Sequence, residues 1–186
     1  VLDPKVELVY ITTPIACHFE NMKLCLTHKK HVLCEKAFTI NAWEAKEAVR
    51  LAKENQVLLA EAIWTRYMPM REMLREELAK KPVGNMRMLT AAFGFPLSDQ
   101  EHLKKNELGG GALLDLGMYA VNFAAMVFGL DIKEIRASAV LTPEGVDEQN
   151  SATLLYPDGK MAVLNSTMTG FTPSQGIIYG EEGLIL

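Results

Sequence analysis

The feature that most constrains this chain is an alternation that runs through its first third. Three short apolar runs, residues 6–11 (VELVYI), 31–34 (HVLC) and 57–60 (VLLA), are separated by two amphipathic stretches. The runs are β-rich and too short for helices. The first intervening stretch places Phe19, Met22 and Leu26 on one helical face. The second opens on Asn41 with Glu44 three positions later, a capping arrangement, and runs through about Glu54. Its predicted buried face is Ala45, Ala48, Val49 and Ala52. Strand, helix, strand, helix, strand predicts a parallel sheet, one half of a doubly wound α/β fold. Strands with so few polar breaks read as buried.

From Pro69 the pattern changes. Met70, Met73, Leu74 and Leu78 mark a helix, ended by Lys81-Pro82-Val83-Gly84. Residues 85–95 read as a long strand. A polar stretch, residues 98–107, then leads into GGGALLDLGMYAVNFAAMVFG, residues 109–129. Strand-like runs follow at residues 132–141, 152–156, 160–167 and 176–179. Pro157-Asp158-Gly159 and Glu181-Glu182-Gly183 are hairpin turns by composition. Successive short-turn strands predict a largely antiparallel open sheet. The boundary between the two patterns falls near residues 66–69, giving domains 1–66 and 67–186.

Read as a helix, residues 109–129 put Asp115, Tyr119 and Asn122 on one polar stripe. Leu113, Leu116, Val121, Ala124 and Val127 surround it, and Gly129 closes it. The length approaches that of a membrane span. Asp115 near its middle would cost about 2.5–3.5 kcal/mol in a bilayer, and the flanks carry no basic cluster, so a packed helix is the expectation. A carboxylate and a phenol on such a helix need buried partners or a polar cleft. From these residues alone, a plain core helix and a functional one both remain open.

Apolar residues make up 49% and charged residues 23% of the 186, enough hydrocarbon for a sizeable core. The formal charge is −4 with no basic block, which sets nucleic acid aside as a partner. Cys17, Cys25 and Cys34 form no CxxC pair and leave an odd count, so a reduced, cytoplasmic setting is expected, with no metal site. The chain begins Val-Leu-Asp and ends on an apolar run, and reads as a central fragment.

In an open α/β sheet, ligands sit beyond the carboxyl ends of the strands. Thr12-Thr13-Pro14, Glu35-Lys36 and Trp64-Thr65-Arg66 all follow predicted strands, so they should converge on one rim. Each set alone is weak evidence; their coincidence at strand ends points to a binding edge.

The runs V9YITTP14 with His18, H31VLCEK36, A62IWTRYMP69 and G109GGALLDLGMY119 resemble the glucose–fructose oxidoreductase/inositol dehydrogenase family. The W-T-R-Y-x-P segment and the tyrosine at 119 are most similar to its dimeric dihydrodiol dehydrogenase branch. The resemblance implies a Rossmann dinucleotide-binding domain, of which residues 1–66 are the C-terminal half. Residues 67–186 would be part of a substrate and dimerisation α+β domain. It further implies an NADP- or NAD-dependent dehydrogenase, NADP favoured, acting on a small sugar or diol as a homodimer.

By the same resemblance, Tyr119 is the catalytic tyrosine, Lys36 the lysine of the Glu-Lys-Pro motif, and Asp115 the aspartate one turn before the tyrosine. Thr13, Pro14, His18, Glu35, Lys36 and Arg66 line the cofactor, while Trp64 and Asn122 face the substrate. Ala37 replaces the motif proline, and Asn122 an aspartate common in histidine-type relatives. No GxGxxG occurs, so the family's pyrophosphate loop has no counterpart in this sequence. The resemblance implies a mechanism in which Tyr119 exchanges the hydroxyl proton and the Lys36 cation favours phenolate. Alternatives are a non-catalytic dinucleotide-binding regulatory relative, which Ala37 favours, and a folded scaffold without a ligand.

Overall fold

A computed structural model of the chain describes residues 1–97 and 99–186; Ser98, which opens the polar stretch of the sequence reading, lies outside the described residues. The chain divides into two units, Val1–Trp64 with Glu107–Gly110, and Thr65–Asn106 with Gly111–Leu186.

The first unit is a three-stranded parallel sheet in the order β1 (Leu8–Ile11), β2 (His31–Cys34), β3 (Leu59–Glu61). Helix α1 (Ile15–Thr27) joins β1 to β2, and α2 (Ala42–Asn55) joins β2 to β3. Phe19, Met22 and Leu26 of α1 meet Ile11, Val32 and Cys34 of the sheet in one buried cluster with Ala48, Leu51 and Ala52 of α2. Burial of each large side chain stabilises by about 1.5–3 kcal/mol. Asn41 caps α2 as its spacing predicts, its side chain accepting the Glu44 N–H at 2.9 Å. Two details differ from expectation. Leu51, three residues after Ala48 and so on its face, takes the inward position assigned to Val49, which is exposed. Strand β1 is buried on one face only: Leu8 and Tyr10, alternating with Val9 and Ile11, point the other way and are exposed.

The second unit begins with a 3₁₀ turn, Trp64–Arg66, whose last two residues it contains, and α3 (Pro69–Ala79). Its six-stranded sheet runs β5–β6–β7–β4–β8–β9, with β4 (Met86–Gly94), β5 (Glu134–Leu141), β6 (Asp147–Leu155), β7 (Met161–Thr167), β8 (Gln175–Gly180) and β9 (Leu184–Ile185). All pairings are antiparallel except β4 with β7. Both hairpin turns occur: Gly159 N–H bonds the Tyr156 carbonyl at 3.1 Å, and Gly180 N–H bonds the Gly183 carbonyl at 2.8 Å. A short helix, α4 (Glu101–Lys104), precedes the glycine-rich stretch.

Residues 109–129 are not one α-helix. Leu113–Gly117 is a π turn, and α5 (Met118–Phe128) follows it, stopped by Gly129 at φ +85°. The stretch Asn106–Phe128 is long and apolar enough to cross a membrane by length and composition. Here Ala120 and Ala124 are buried among Leu89, Ala91, Leu164 and Ile178 of the sheet. Leu116 is buried with Leu103, Val146 and Met168, whereas Leu113 and Val121 are exposed.

The cysteines make a direct check. Cys17 is exposed, and Cys25 and Cys34 are buried. Burial pushes both buried thiols up, Cys34 to about 12 with the Glu61 and Glu35 carboxylates adding to the effect. In timed alkylation of the native protein, Cys17 is expected to react and the other two only on unfolding. A raised folded pKa means that the Cys34 contribution to stability is complete below the ordinary thiol value of 9.0 and is lost as pH climbs toward about 12. Equal alkylation of all three thiols, or no loss of stability across that alkaline window, would contradict the described burial.

Candidate functional site

In the first unit, the carboxyl ends of three parallel strands necessarily share one rim. Thr13 and Pro14 follow β1, Glu35 and Lys36 follow β2, and Glu61 ends β3. The buried side chain of His18, in the first turn of α1, lies behind this rim. Its Nε2 lies 2.8 Å from the Thr13 carbonyl oxygen and its Nδ1 2.9 Å from the Ala37 carbonyl oxygen. Both partners are carbonyl acceptors, so an imidazole with one N–H donates to one and packs against the other, and His18 sits between the Thr13 loop and the loop that follows Lys36.

Around the same rim, Asn21 Nδ2 donates to Thr13 Oγ1 at 3.0 Å, and Glu61 accepts the Phe38 N–H at 3.1 Å. The Lys36–Ala37 peptide is cis. The Tyr10 hydroxyl donates to the Glu35 carboxylate, and that bond holds the phenol above its ordinary range. Tyr10, Asn21 and Glu61 escaped the sequence reading. The alternation of β1 could have found Tyr10, because it is the polar-tipped residue on the face away from the helices.

In the second unit, α5 carries the half-buried Tyr119 against β4. Its ring lies 5.2 Å from that of Phe93, inclined at 58°, and Phe93 in turn meets Phe95 edge-on at 5.3 Å. A small cavity of about 90 Å³ opens beside the phenol between Phe93, Phe123 and Gly176. One turn along α5, Asn122 accepts from Arg66 Nε and donates to the Met118 carbonyl at 3.4 Å. Asp115 sits inside the π turn, so the α-helical spacing that put it in line with Tyr119 does not apply to it.

The structure thus gathers Thr13, Pro14, His18, Glu35 and Lys36 on one rim of the first unit, and Trp64 follows three residues beyond β3. Arg66, Asp115, Tyr119 and Asn122 belong to the second unit, where Arg66 and Asn122 are in contact. Asp147, Asn150 and Ser166, polar residues bonded to the start of the π turn or to one another, also escaped the sequence reading. Apart from the Asp147–Asn150 pair, their partners are distant in the chain, and no local pattern announces them.

Two family profiles match the chain. One, described as GFO/IDH/MocA C-terminal domain, covers residues 72–186, and one described as oxidoreductase family, NAD-binding Rossmann fold, covers residues 1–63. The trans-1,2-dihydrobenzene-1,2-diol dehydrogenase of Mus musculus is 39% identical over 183 residues, 98% of this chain and 55% of the relative. Its namesake from Xenopus tropicalis is 36% identical over 184 residues, 98% of this chain and 56% of the relative. The chain therefore spans about half the length of the curated relatives it matches. Among solved structures, a 3-ketoreductase from Actinomadura kijaniata in complex with NADP and TDP-benzene superimposes with a TM-score of 0.90 at 28% identity, over 96% of this chain and 55% of that one. The aldose–aldose oxidoreductase of Caulobacter crescentus shares the fold, with a TM-score of 0.89 at 23% identity over 98% of this chain and 56% of that one.

Proposed function

This chain belongs to the GFO/IDH/MocA family of oxidoreductases, and on that premise we propose that the whole protein is a dehydrogenase. It interconverts a carbinol and a carbonyl on a sugar or trans-diol, using NADP or NAD. The observation that carries the reading is Tyr119: a half-buried phenol beside a small aromatic-walled cavity, on the helix that follows a π turn. π turns of this kind concentrate at functional sites. The names of the curated relatives support the diol, and the solved 3-ketoreductase with its bound NADP supports the cofactor.

The first unit fits the nicotinamide half of such a dinucleotide. Its rim lies at the carboxyl ends of parallel strands and offers the Thr13 hydroxyl, the Asn21 amide and the Glu35–Lys36 pair of side chains. When bound, the dinucleotide supplies the hydride chemistry. The chain supplies position and proton handling. Thr13, Pro14, Glu35 and Lys36 face the cofactor and His18 lies between two of their loops; Arg66 is assigned to the cofactor by the family resemblance alone. Trp64 and Asn122 line the substrate.

Tyr119 exchanges the proton of the reacting hydroxyl. A free phenol titrates near ~10, too high for an efficient base at neutral pH. Lys36 is the cation assigned to favour phenolate. Asp115 is assigned to orienting the substrate hydroxyls. Replacement Lys36→Met in the full-length protein is therefore expected to raise the pH at which activity appears. A pH–rate profile unchanged in shape would remove Lys36 from the mechanism. The function itself is tested by assaying the full-length protein with trans-diols and aldoses, with each dinucleotide.

The reading includes a cytoplasmic homodimer built on the open sheet. On the face away from α5, half-buried Thr90, Val163 and Ile177 form a row across β4, β7 and β8. Sedimentation of the full-length protein is expected to give a dimer, and Val163→Lys a monomer. A monomeric parent would contradict this surface assignment.

A further inference from the structure

A chain of hydrogen bonds in the second unit ends on the backbone just ahead of Tyr119. Asp147 Oδ2 accepts the Leu113 N–H at 2.8 Å and an N–H of the Asn150 amide at 2.7 Å. The same amide nitrogen donates to Ser166 Oγ at 2.6 Å, and the Ser166 hydroxyl reaches the Ala112 carbonyl at 3.4 Å. Both N–H groups of Asn150 are thus committed, one to each neighbour, a task that an acceptor-only carboxylate cannot do. Ser166 is 2% exposed, so its hydroxyl depends on these partners rather than on water.

The strands carry the chain to the phenol. Asn150 is paired with Ser166 across β6 and β7, and Ser166 with Phe93 across β7 and β4. Phe93 is the residue whose ring packs on Tyr119. The helical run is shaped to admit these side chains. A Cβ at Gly111 would stand 2.3 Å from Asp147 Oδ1, and one at Gly117 would stand 2.7 Å from Ser166 Oγ. The network therefore bonds the start of the Leu113–Gly117 turn, at Ala112 and Leu113, while Ser166 packs against its end at Gly117. A π turn is rare and holds one residue more than an α turn. The first N–H groups of a helical run lack partners within it, and an acidic acceptor there is favourable. Without these contacts the turn is free to relax toward α geometry, which rotates the segment before Tyr119 relative to the phenol.

We propose that Asp147, Asn150 and Ser166 are positioning residues for Tyr119, holding the π turn in register and so aiming the phenol. The proposal rests on the reading of Tyr119 as the proton-exchanging group. Misplacement of a catalytic group by about 1 Å costs on the order of 10²-fold in rate. A cap that merely stabilised the fold would instead lower the melting temperature and leave the rate and the surroundings of Tyr119 as they were.

The test removes the acceptor and then returns it. In the full-length protein, Asp147→Ala takes away the oxygen that accepts both the Leu113 N–H and the Asn150 N–H. Asn150→Asp places two carboxylates side by side. Asp147→Asn is the conservative variant, because an amide oxygen in the place of Oδ2 accepts both N–H groups. Two readouts are followed: kcat and KM, and the fluorine resonance of a fluorotyrosine incorporated at position 119.

Asp147→Ala and Asn150→Asp are each expected to lose roughly 10–100-fold in kcat with KM little changed, and to move the resonance. Asp147→Asn is expected to keep both near those of the unsubstituted protein. Disrupting variants that melt earlier with kcat and resonance unmoved overturn the proposal, and so does a folded Asp147→Asn that changes both as much as Asp147→Ala. If the unsubstituted protein turns over no diol or aldose, the functional reading falls, and the resonance alone decides. A shift in Asp147→Ala and Asn150→Asp that is absent from Asp147→Asn upholds the positioning role, and a resonance unmoved, or moved equally in all three, overturns it.

Discussion

Tyr119→Phe in the full-length protein is expected to lower kcat by ~10²–10⁴-fold while leaving dinucleotide affinity nearly unchanged. The substitution keeps the ring that packs on Phe93 at 5.2 Å, so the wall of the cavity survives and only the hydroxyl is lost. A phenol whose role was structural would give a different result. Its removal would cost about a hydrogen bond of stability, ~0.5–1.5 kcal/mol, with turnover almost intact. Steady-state kinetics and a melting curve on the same preparation separate the two cases. Near-normal kcat would remove the proposed mechanism and favour a dinucleotide-sensing role.

Gly111→Ala is expected to cost about 2–4 kcal/mol from backbone strain and broken hydrogen bonds together. Gly111 has φ +113°, a conformation that side chains rarely adopt, and its added Cβ would meet Asp147 Oδ1 at 2.3 Å. Asp147 would have to swing away from the Leu113 N–H and the Asn150 amide, the contacts that hold the π turn. Gly145 is the control. It has φ +82° with nothing within 4 Å of an added Cβ, so Gly145→Ala should show the conformational cost alone, ~1–2 kcal/mol. Denaturant unfolding of both variants checks the difference. Equal losses would mean that Asp147 is not packed against Gly111 as described.

Much of the first unit is legible in the sequence because its signals are local. The apolar runs, the Asn41 cap and the strand-end motifs each lie within a few residues of what they determine. Parallel strands then bring Thr13, Glu35 and Lys36 to one rim without further information. The misplacement of Val49 and Leu51 is an ordinary phase error on an alanine-rich helix, where small residues mark the buried face weakly.

The second unit is less legible, for a physical reason. A helical period of 3.6 carried through residues 109–129 gives a polar stripe, but the π turn at Leu113–Gly117 breaks that period before Tyr119. What supports the π turn lies on β6 and β7, more than thirty residues downstream, in Asp147 and Ser166. Three consecutive glycines and Gly117 were visible; the side chains they make room for were not. The parallel β4–β7 pair is hidden in the same way, since hairpin turns announce only antiparallel neighbours. Tyr10, which bonds Glu35 from the exposed face of β1, reads in sequence as one more apolar strand residue.

We propose that the whole protein passes hydride between a carbinol carbon and a nicotinamide dinucleotide, with Tyr119 handling the proton. Isotope transfer tests it most directly. A trans-diol or aldose deuterated at the reacting carbon is incubated with the full-length protein and NADP or NAD, and the reduced dinucleotide is examined by mass spectrometry. The account predicts one deuterium on the dinucleotide for each carbonyl formed, with the yield collapsing in Tyr119→Phe. Product formed without label in the dinucleotide, or no product from any diol or aldose with either dinucleotide, would contradict it.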